Sequence, residues 1–312
     1  MKIYVIHEND AWVVPLREAL ASRGLPYVEW FLGAGTLDLT VPPPEGVFYN
    51  RMSASSHTRG HRYAPEHAAA VIAWLERHHR PVVNNGRALQ LEISKIAQYA
   101  ALNAEGIPTP PTIAAVGRDA VIEAGRRMEP PFITKHNRAG KGLGVHLFHD
   151  AEALAVYVSG PAFEDSLDGI TLIQAYIQAP EPFITRVEFV GGEFLYAVRV
   201  DTSQGFELCP ADACRIDDDA AAVPLFRIID GFDHPLIEPY RRFLSANGIG
   251  IAGIEFIMDR EGRAHTYDVN TNTNYNSEAE VTAGARGMDA IAAYLGAELA
   301  RLQAGEGWRV AG

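Results

Sequence analysis

Apolar residues at the start of the chain come in short runs separated by helix-length segments. Ile3–Ile6 is a run of strand type, and Trp12–Ser22 carries apolar side chains at helical spacing until Gly24-Leu25-Pro26 stops it. Tyr27–Phe31 and Gly46–Tyr49 read as further strands, separated by the stiff Val41-Pro42-Pro43-Pro44 loop. Pro65–Arg77 places Ala68, Ile72 and Leu75 on one helical face, and Pro81–Asn84 follows as a fourth strand. Strands alternating with helices predict βαβ units and a parallel sheet over residues 1–93.

Beyond this point the rhythm changes. Leu91–Glu105 reads as one helix closed by Gly106-Ile107-Pro108, Thr112–Val116 as a strand and Asp119–Met128 as a helix. Phe132–Lys135 and Gly144–Phe148 flank a glycine-rich loop, and Thr185–Val190 and Glu193–Val200 flank Gly191-Gly192, which are two hairpin signals. Thr171–Ile177 is a strand and Pro235–Asn247 a helix. Ile249–Asp259 and Ala264–Asn270 form a strand pair around Arg260–Arg263, and a last helix runs from about Asp289 to Leu302. This part is α+β with antiparallel hairpins, so the fold class is α/β plus α+β.

Composition narrows the function classes. In 312 residues, 47% hydrophobic and 21% charged, there is enough apolar material for a large core. Net charge is −12, from 27 Lys+Arg against 39 Asp+Glu, which argues against a nucleic-acid partner because phosphate neutralisation needs clustered cations. The N-terminal apolar run is too short for a signal peptide, and no stretch is long enough to span a membrane. Two cysteines, Cys209 and Cys214, fit free thiols in a reducing compartment, so a cytoplasmic location is expected. His57, His61, His78 and His79 show no ligand pattern beside a carboxylate and read as surface residues.

Three constellations carry chemistry. Lys135 ends a strand before His136-Asn137-Arg138-Ala139-Gly140-Lys141-Gly142-Leu143-Gly144. Glycines at alternate positions let backbone N–H groups approach an anion, and the two lysines add positive charge, which suits nucleotide phosphates; alone, the stretch also fits an ordinary hairpin. Glu255 lies in an otherwise apolar strand, and Asp268 and Asn270, two apart, share a strand face. Three oxygen donors on one face suit Mg2+, which takes few protein carboxylates together with substrate phosphates; alone, the set also fits the solvated polar face of a hairpin. Gln174-Ala175-Tyr176-Ile177, with Glu181 beyond, offers backbone groups to a purine edge and a carboxylate to a ribose, or is simply a core strand.

Their order along the chain, glycine-rich hairpin, hinge strand, Arg186 and Glu188 on a following strand, then Glu255 and Asp268-x-Asn270, resembles the ATP-grasp fold. More closely it resembles the ribosomal-protein-S6 glutamate-ligase-like (RimK-like) branch of carboxylate–amine ligases. Residues 47–51, ending in Arg51, are similar to that branch's strand ending in Arg; residues 84–95, ending in Ser94-Lys95, to its linker; and Ala100–Thr112 to its helix–turn before the next strand. The resemblance implies a small parallel-sheet (pre-ATP-grasp) domain over 1–93, a small ATP-grasp subdomain with a phosphate-covering hairpin over 94–177, a large subdomain with the metal site over 178–305, and a tail over 306–312.

The resemblance also implies roles. Lys95 and Lys135 would contact ATP phosphates, under a lid of Gly140, Lys141, Gly142 and Gly144. Gln174, Tyr176 and Ile177 would line adenine and Glu181 the ribose, while Glu255, Asp268 and Asn270 would hold one or two Mg2+, with Mn2+ also fitting. Arg186 and Arg199, with Lys135, would be catalytic, facing the transferred phosphoryl group. Asn50, Arg51, Asn272, Asn274 and Asn276 are candidates for a polar, amino-acid-like substrate between the domains. The implied activity is ADP-forming ligation of a carboxylate to an amine through an acyl phosphate, on small molecules or a peptide tail, with a homo-oligomer left open. A nucleotide-binding protein without turnover is the rival from another class. Departures from the branch include Ser94, Ala175 and Thr185 at usually acidic positions and a reciprocal Glu255/Asp268 swap. The branch's Asn and glycine pair after Arg199 is also missing, in the Phe206–Arg215 stretch. These bear on the substrates more than on the ATP chemistry.

Overall fold

The computed structural model describes residues 1–140, 142, 144–203 and 225–306. Lys141, Cys209, Cys214, the Phe206–Arg215 stretch and all but the first residue of the expected tail lie outside the described residues.

The first unit contains β1 (Lys2–His7), α1 (Asp10–Ser22), β2 (Tyr27–Phe31), β3 (Gly46–Asn50), α2 (Ala64–Arg77) and β4 (Val82–Val83). Its four strands pair in parallel in the order β2-β1-β3-β4, as the alternating pattern predicts. Two cores cover its faces. Ile6, Phe48, Val71, Ile72 and Leu75 pack under α2. Ile3, Val5, Val13 and Leu16 join Ile291 and Leu295 of a C-terminal helix.

The expected single helix over Leu91–Glu105 is two: α3 (Gly86–Glu92) and α4 (Lys95–Ala104). The break is local chemistry. Ser94 adopts extended backbone and its hydroxyl accepts from Ala97 N–H, starting a new helix at Lys95. Then follow β5 (Thr112–Val116), α5 (Arg118–Arg127), β6 (Phe132–His136), β7 (His146–Phe148), α6 (Ala151–Ser159) and β8 (Ile170–Ala175). Their antiparallel sheet has the order β5-β8-β6-β7.

The remaining elements are β9 (Phe183–Val190), β10 (Glu193–Asp201), β11 (Phe226–Ile229), α7 (Ile237–Ala246), β12 (Ile251–Met258), β13 (Ala264–Asn270), α8 (Ser277–Ala283) and α9 (Gly287–Gln303). The sheet order is β11-β10-β9-β12-β13, all antiparallel. Val187, Phe189, Ala197, Ile254 and Phe256 face one core with Tyr240 and Phe243 of α7. Ile184, Tyr196, Val198 and Val200 face the other side, toward the first unit. No helix of the described residues is long and apolar enough to cross a membrane.

Asn84 joins the first unit to this large sheet. In left-handed backbone (φ 59°), its Oδ1 accepts from Gly250 N–H (3.0 Å) and Ile251 N–H (3.1 Å). Its Nδ2 donates to the carbonyls of Ile251 (2.9 Å) and Thr271 (2.7 Å). A short side chain tolerant of that conformation, with both donor and acceptor, is what the position requires.

Candidate active site

A cleft of about 550 Å3 opens between the β5–β8 sheet and the large sheet, closed on one side by Trp12 and Ser53–Ser55 of the first unit. Among its walls are Lys95, Lys135, Gly140, Gly142, Gln174, Tyr176, Ile177, Glu181, Arg186, Glu255, Asp268, Asn270, Asn272 and Asn274. Residues far apart in sequence and singled out separately therefore share one cavity.

Strand register assembles its centre. Arg186 on β9 sits opposite Glu255 on β12, which sits opposite Asp268 on β13. The β12–β13 pairing contains a bulge: Phe256 opposes Thr266, whereas Glu255 opposes Asp268. Without that extra residue Glu255 would oppose Tyr267 and the two carboxylates would lie on opposite faces. The bulge also turns Tyr267 toward the cleft, where its hydroxyl donates to Glu255 Oε2 (3.1 Å). Asn270 lies opposite Gly253 and its amide nitrogen is 3.5 Å from Glu255 Oε1. Turned by 180°, the amide presents its oxygen instead, so Glu255, Asp268 and Asn270 form a hard oxygen donor set that fits Mg2+.

Cations balance these carboxylates. Lys95 opens α4 and its ammonium donates to Asp268 Oδ1 at 2.6 Å. Lys135 Nζ lies 3.4 Å from both the Tyr99 hydroxyl and the Tyr267 carbonyl, and 5.1 Å over the Tyr267 ring. Burial pushes the Lys135 pKa down, opposed by Asp268 and Glu255. Burial would raise the Asp268 carboxyl, but Lys95, Lys135 and Arg186 outweigh it and hold it below the usual value. Arg186 is buried and three of its five N–H groups are engaged: Nε donates to Glu188, Nη1 to Glu255 (2.7 Å) and Nη2 to the Thr273 hydroxyl (2.7 Å), which in turn donates to Glu188 (2.8 Å). Burial disfavours its charge, yet Glu188 and Glu255 raise its pKa above the ordinary value. Gly253 lies under this guanidinium, where a Cβ would come within 2.4 Å of Nη2.

At the other end, the Gln174 side chain donates to the Tyr99 hydroxyl (2.9 Å) and Thr112 (3.0 Å). The amides of Ala175 and Tyr176 donate to the carbonyls of Pro111 and Pro131. The N–H groups of both residues are therefore already engaged. In the glycine-rich loop, Gly142 and Gly144 adopt φ of 73° and 72°, and Gly144 packs against the His136 ring, where a Cβ would be 2.3 Å from Cδ2.

Several expected residues lie elsewhere. Arg199 does not join Arg186. A bulge between Phe194 and Tyr196 shifts the β9–β10 register so that Arg199 opposes Thr185 and Val198 opposes Arg186. Arg199 thus stands on the opposite sheet face, stacked 3.6 Å over the Phe183 ring, and reaches round to Glu181 (2.8 Å) at the cleft mouth. Arg51 is buried outside the cleft, donating to Asn272 Oδ1 (3.1 Å), the Thr273 carbonyl (3.1 Å) and Asn274 Oδ1 (2.8 Å). Asn50 donates to the Asn84 carbonyl (3.0 Å), and Asn276 caps α8 by accepting from Ala279 N–H. Of the five candidates for substrate contact, only Asn272 and Asn274 line the cleft.

Sequence reading missed Trp12, Glu92, Arg260 and Tyr267 in the walls. Glu92 accepts from Thr271 N–H (2.7 Å) and hydroxyl (3.0 Å) and from Ala54 N–H (3.3 Å), tying the first unit's loop to the end of β13. None of the four belongs to a local motif; Tyr267 is the bulge residue, and the other three enter through tertiary packing.

No protein-family model matches the sequence, and no curated protein matches it. Solved structures do. A RimK-domain ATP-grasp protein from Sphaerobacter thermophilus is 20% identical, with 94% of this chain and 99% of that one covered at TM-score 0.64. D-cycloserine synthetase DcsG is 16% identical, with 95% and 99% covered at TM-score 0.66. The ATP-grasp ligase PsnB, determined with a minimal precursor, Mg and ADP, is 16% identical, with 95% and 97% covered at TM-score 0.65. Over nearly its whole length the chain has the ATP-grasp fold of RimK-like proteins.

Proposed function

We propose that the protein is an ATP- and Mg2+-dependent ligase that joins a carboxylate to an amine and releases ADP and phosphate. The observation that carries this reading is the convergence of Lys95, Lys135, Arg186, Glu255, Asp268 and Asn270 in one cleft. Nucleotide binding without turnover would need no such matched set of cations and oxygen donors around a phosphoryl position.

A carboxylate is a poor electrophile. In the proposed reaction its oxygen attacks the γ-phosphorus of ATP, forming an acyl phosphate and releasing ADP. The amine then attacks the carbonyl carbon, phosphate leaves with the C–O bond electrons, and the nitrogen loses a proton. Lys95 and Lys135 hold the phosphates, and Arg186 presents a fixed fork to the developing oxyanion. Mg2+ held by Glu255, Asp268 and Asn270 would neutralise phosphate charge. Gly140–Gly144 would cover the phosphates and exclude water, which would otherwise hydrolyse the intermediate. Glu181, steadied by Arg199, would meet the ribose hydroxyls, and Asn272 and Asn274 would face the acid or amine.

PsnB was determined with a peptide precursor, so a peptide acceptor is the second reading. A screen of ADP release over pairs of amino acids and dipeptides, with hydroxylamine to trap an acyl phosphate, tests both. ADP release that needs an acid and disappears in Asp268→Asn is expected. Undiminished turnover in Asp268→Asn would refute the site.

A further inference from the structure

Away from the cleft, His7 at the end of β1 is 2% exposed, yet neither ring nitrogen has a hydrogen-bond partner. A buried imidazole left this way is costly, so native structures seldom leave one without a partner. Both nitrogens instead face carboxylates at distances too long for hydrogen bonds: Nδ1 is 3.9 Å from Asp10 Oδ1 and Nε2 is 3.6 Å from Glu29 Oε2. One ligand atom from each of His7, Asp10 and Glu29 lies within 4.8 Å of the others. Bonds of about 2.0–2.2 Å to a tetrahedral ion separate its ligand atoms by about 3.3–3.6 Å, so modest contraction closes the set.

We propose that His7, Asp10 and Glu29 form a second metal site, for a divalent transition ion of the Zn2+ type, completed by water. One imidazole nitrogen and two carboxylate oxygens favour such an ion over Mg2+, which takes oxygen ligands. The surroundings are arranged for it. Arg17 donates to both carboxylate oxygens of Glu29, through Nε (2.7 Å) and Nη2 (2.8 Å), and fixes its orientation as outer groups do around metal ligands. Asp10 is 78% exposed in the first turn of α1 and has room to swing inward. Phe31 packs edge-on against the ring at 5.7 Å and shields it from water. His7 ends β1 and Asp10 opens α1, at the carboxyl edge of the parallel sheet where ligands are bound, while Glu29 reaches them from the middle of β2; none of the three lines the cleft.

The test titrates the full chain with Co2+ at pH 7, following its visible d–d bands, and then displaces it with Zn2+. The background is Asp268→Asn, which removes the cleft as a competing site. One Co2+ per chain, without the near-ultraviolet thiolate charge-transfer band that Cys209 or Cys214 would give, is the expected result. Asp10→Asn and Glu29→Gln should each weaken Co2+ binding at least ten-fold. Absence of Co2+ binding, a thiolate band, or unchanged affinity in either carboxylate variant would overturn the proposal. None of these readouts depends on ligase activity.

Discussion

Replacing Arg186 with Met should destabilise the protein through the charge left behind. Glu188 is buried, and its compensation comes from the Arg186 guanidinium, with a second hydrogen bond from Thr273. Removing one partner of a buried ion pair costs about 3–5 kcal/mol, because the remaining charge is neither solvated nor paired. Glu188 is already raised by burial and held back by Arg186, so in Arg186→Met it rises further. Its folded pKa then exceeds the unfolded value, the folded state binds the extra proton, and stability falls as pH rises between the two. Urea unfolding followed by circular dichroism should show the loss at pH 7 and a smaller one near pH 4. Adding Glu188→Gln to Arg186→Met should restore at least about 2 kcal/mol, since the two sites are in contact and their effects do not add. Ligase activity should stay lost in both, because neither regains the guanidinium. Loss of less than about 1 kcal/mol in the single variant, or no recovery in the double, would refute the reasoning.

Three further outcomes follow from neighbouring contacts. Gly253→Ala should cut kcat about 100-fold by displacing the Arg186 guanidinium, while urea unfolding shifts by less than about 2 kcal/mol, because the atom met is the end of a flexible side chain. Asn84→Ala should cost about 2–4 kcal/mol in urea unfolding, since four buried backbone groups lose their partner; less than 1 kcal/mol would contradict its role as a joint. Because burial lowers the Lys135 pKa, the unfolded chain binds more protons between the folded and unfolded values, so this lysine makes stability rise with pH there. ATP phosphates should reverse that shift, so calorimetry in buffers of different ionisation enthalpy should detect proton uptake on ATP binding below the ordinary lysine pKa. Lys135→Met should abolish it.

Local chemistry made much of the site legible. Lys135 before alternate glycines, and Asp268 two residues before Asn270, are patterns confined to a few residues, and the first unit's parallel sheet follows from its alternating runs. What escaped depends on single-residue shifts and long-range partners. One bulge brings Glu255 opposite Asp268, and another turns Arg199 away from Arg186; both change every face assignment beyond them while leaving the apolar pattern nearly untouched. Arg51 carries the same charge as a substrate-binding arginine would, and only the return of residues 272–274 past it, more than 200 positions later, shows that its donors are already used. Nothing in the local sequence marks His7, because Glu29, the carboxylate it faces, comes from the neighbouring strand.

The central claim is that this cleft drives ligation through phosphoryl transfer. Its most direct measurement is the nucleotide product, resolved by chromatography, when the protein turns over ATP with Mg2+ and a matched acid and amine. ADP and phosphate formed in equal amounts with the amide, and absent in Asp268→Asn, are the predicted result. AMP and pyrophosphate as products, or amide formation unchanged in Asp268→Asn, would contradict it.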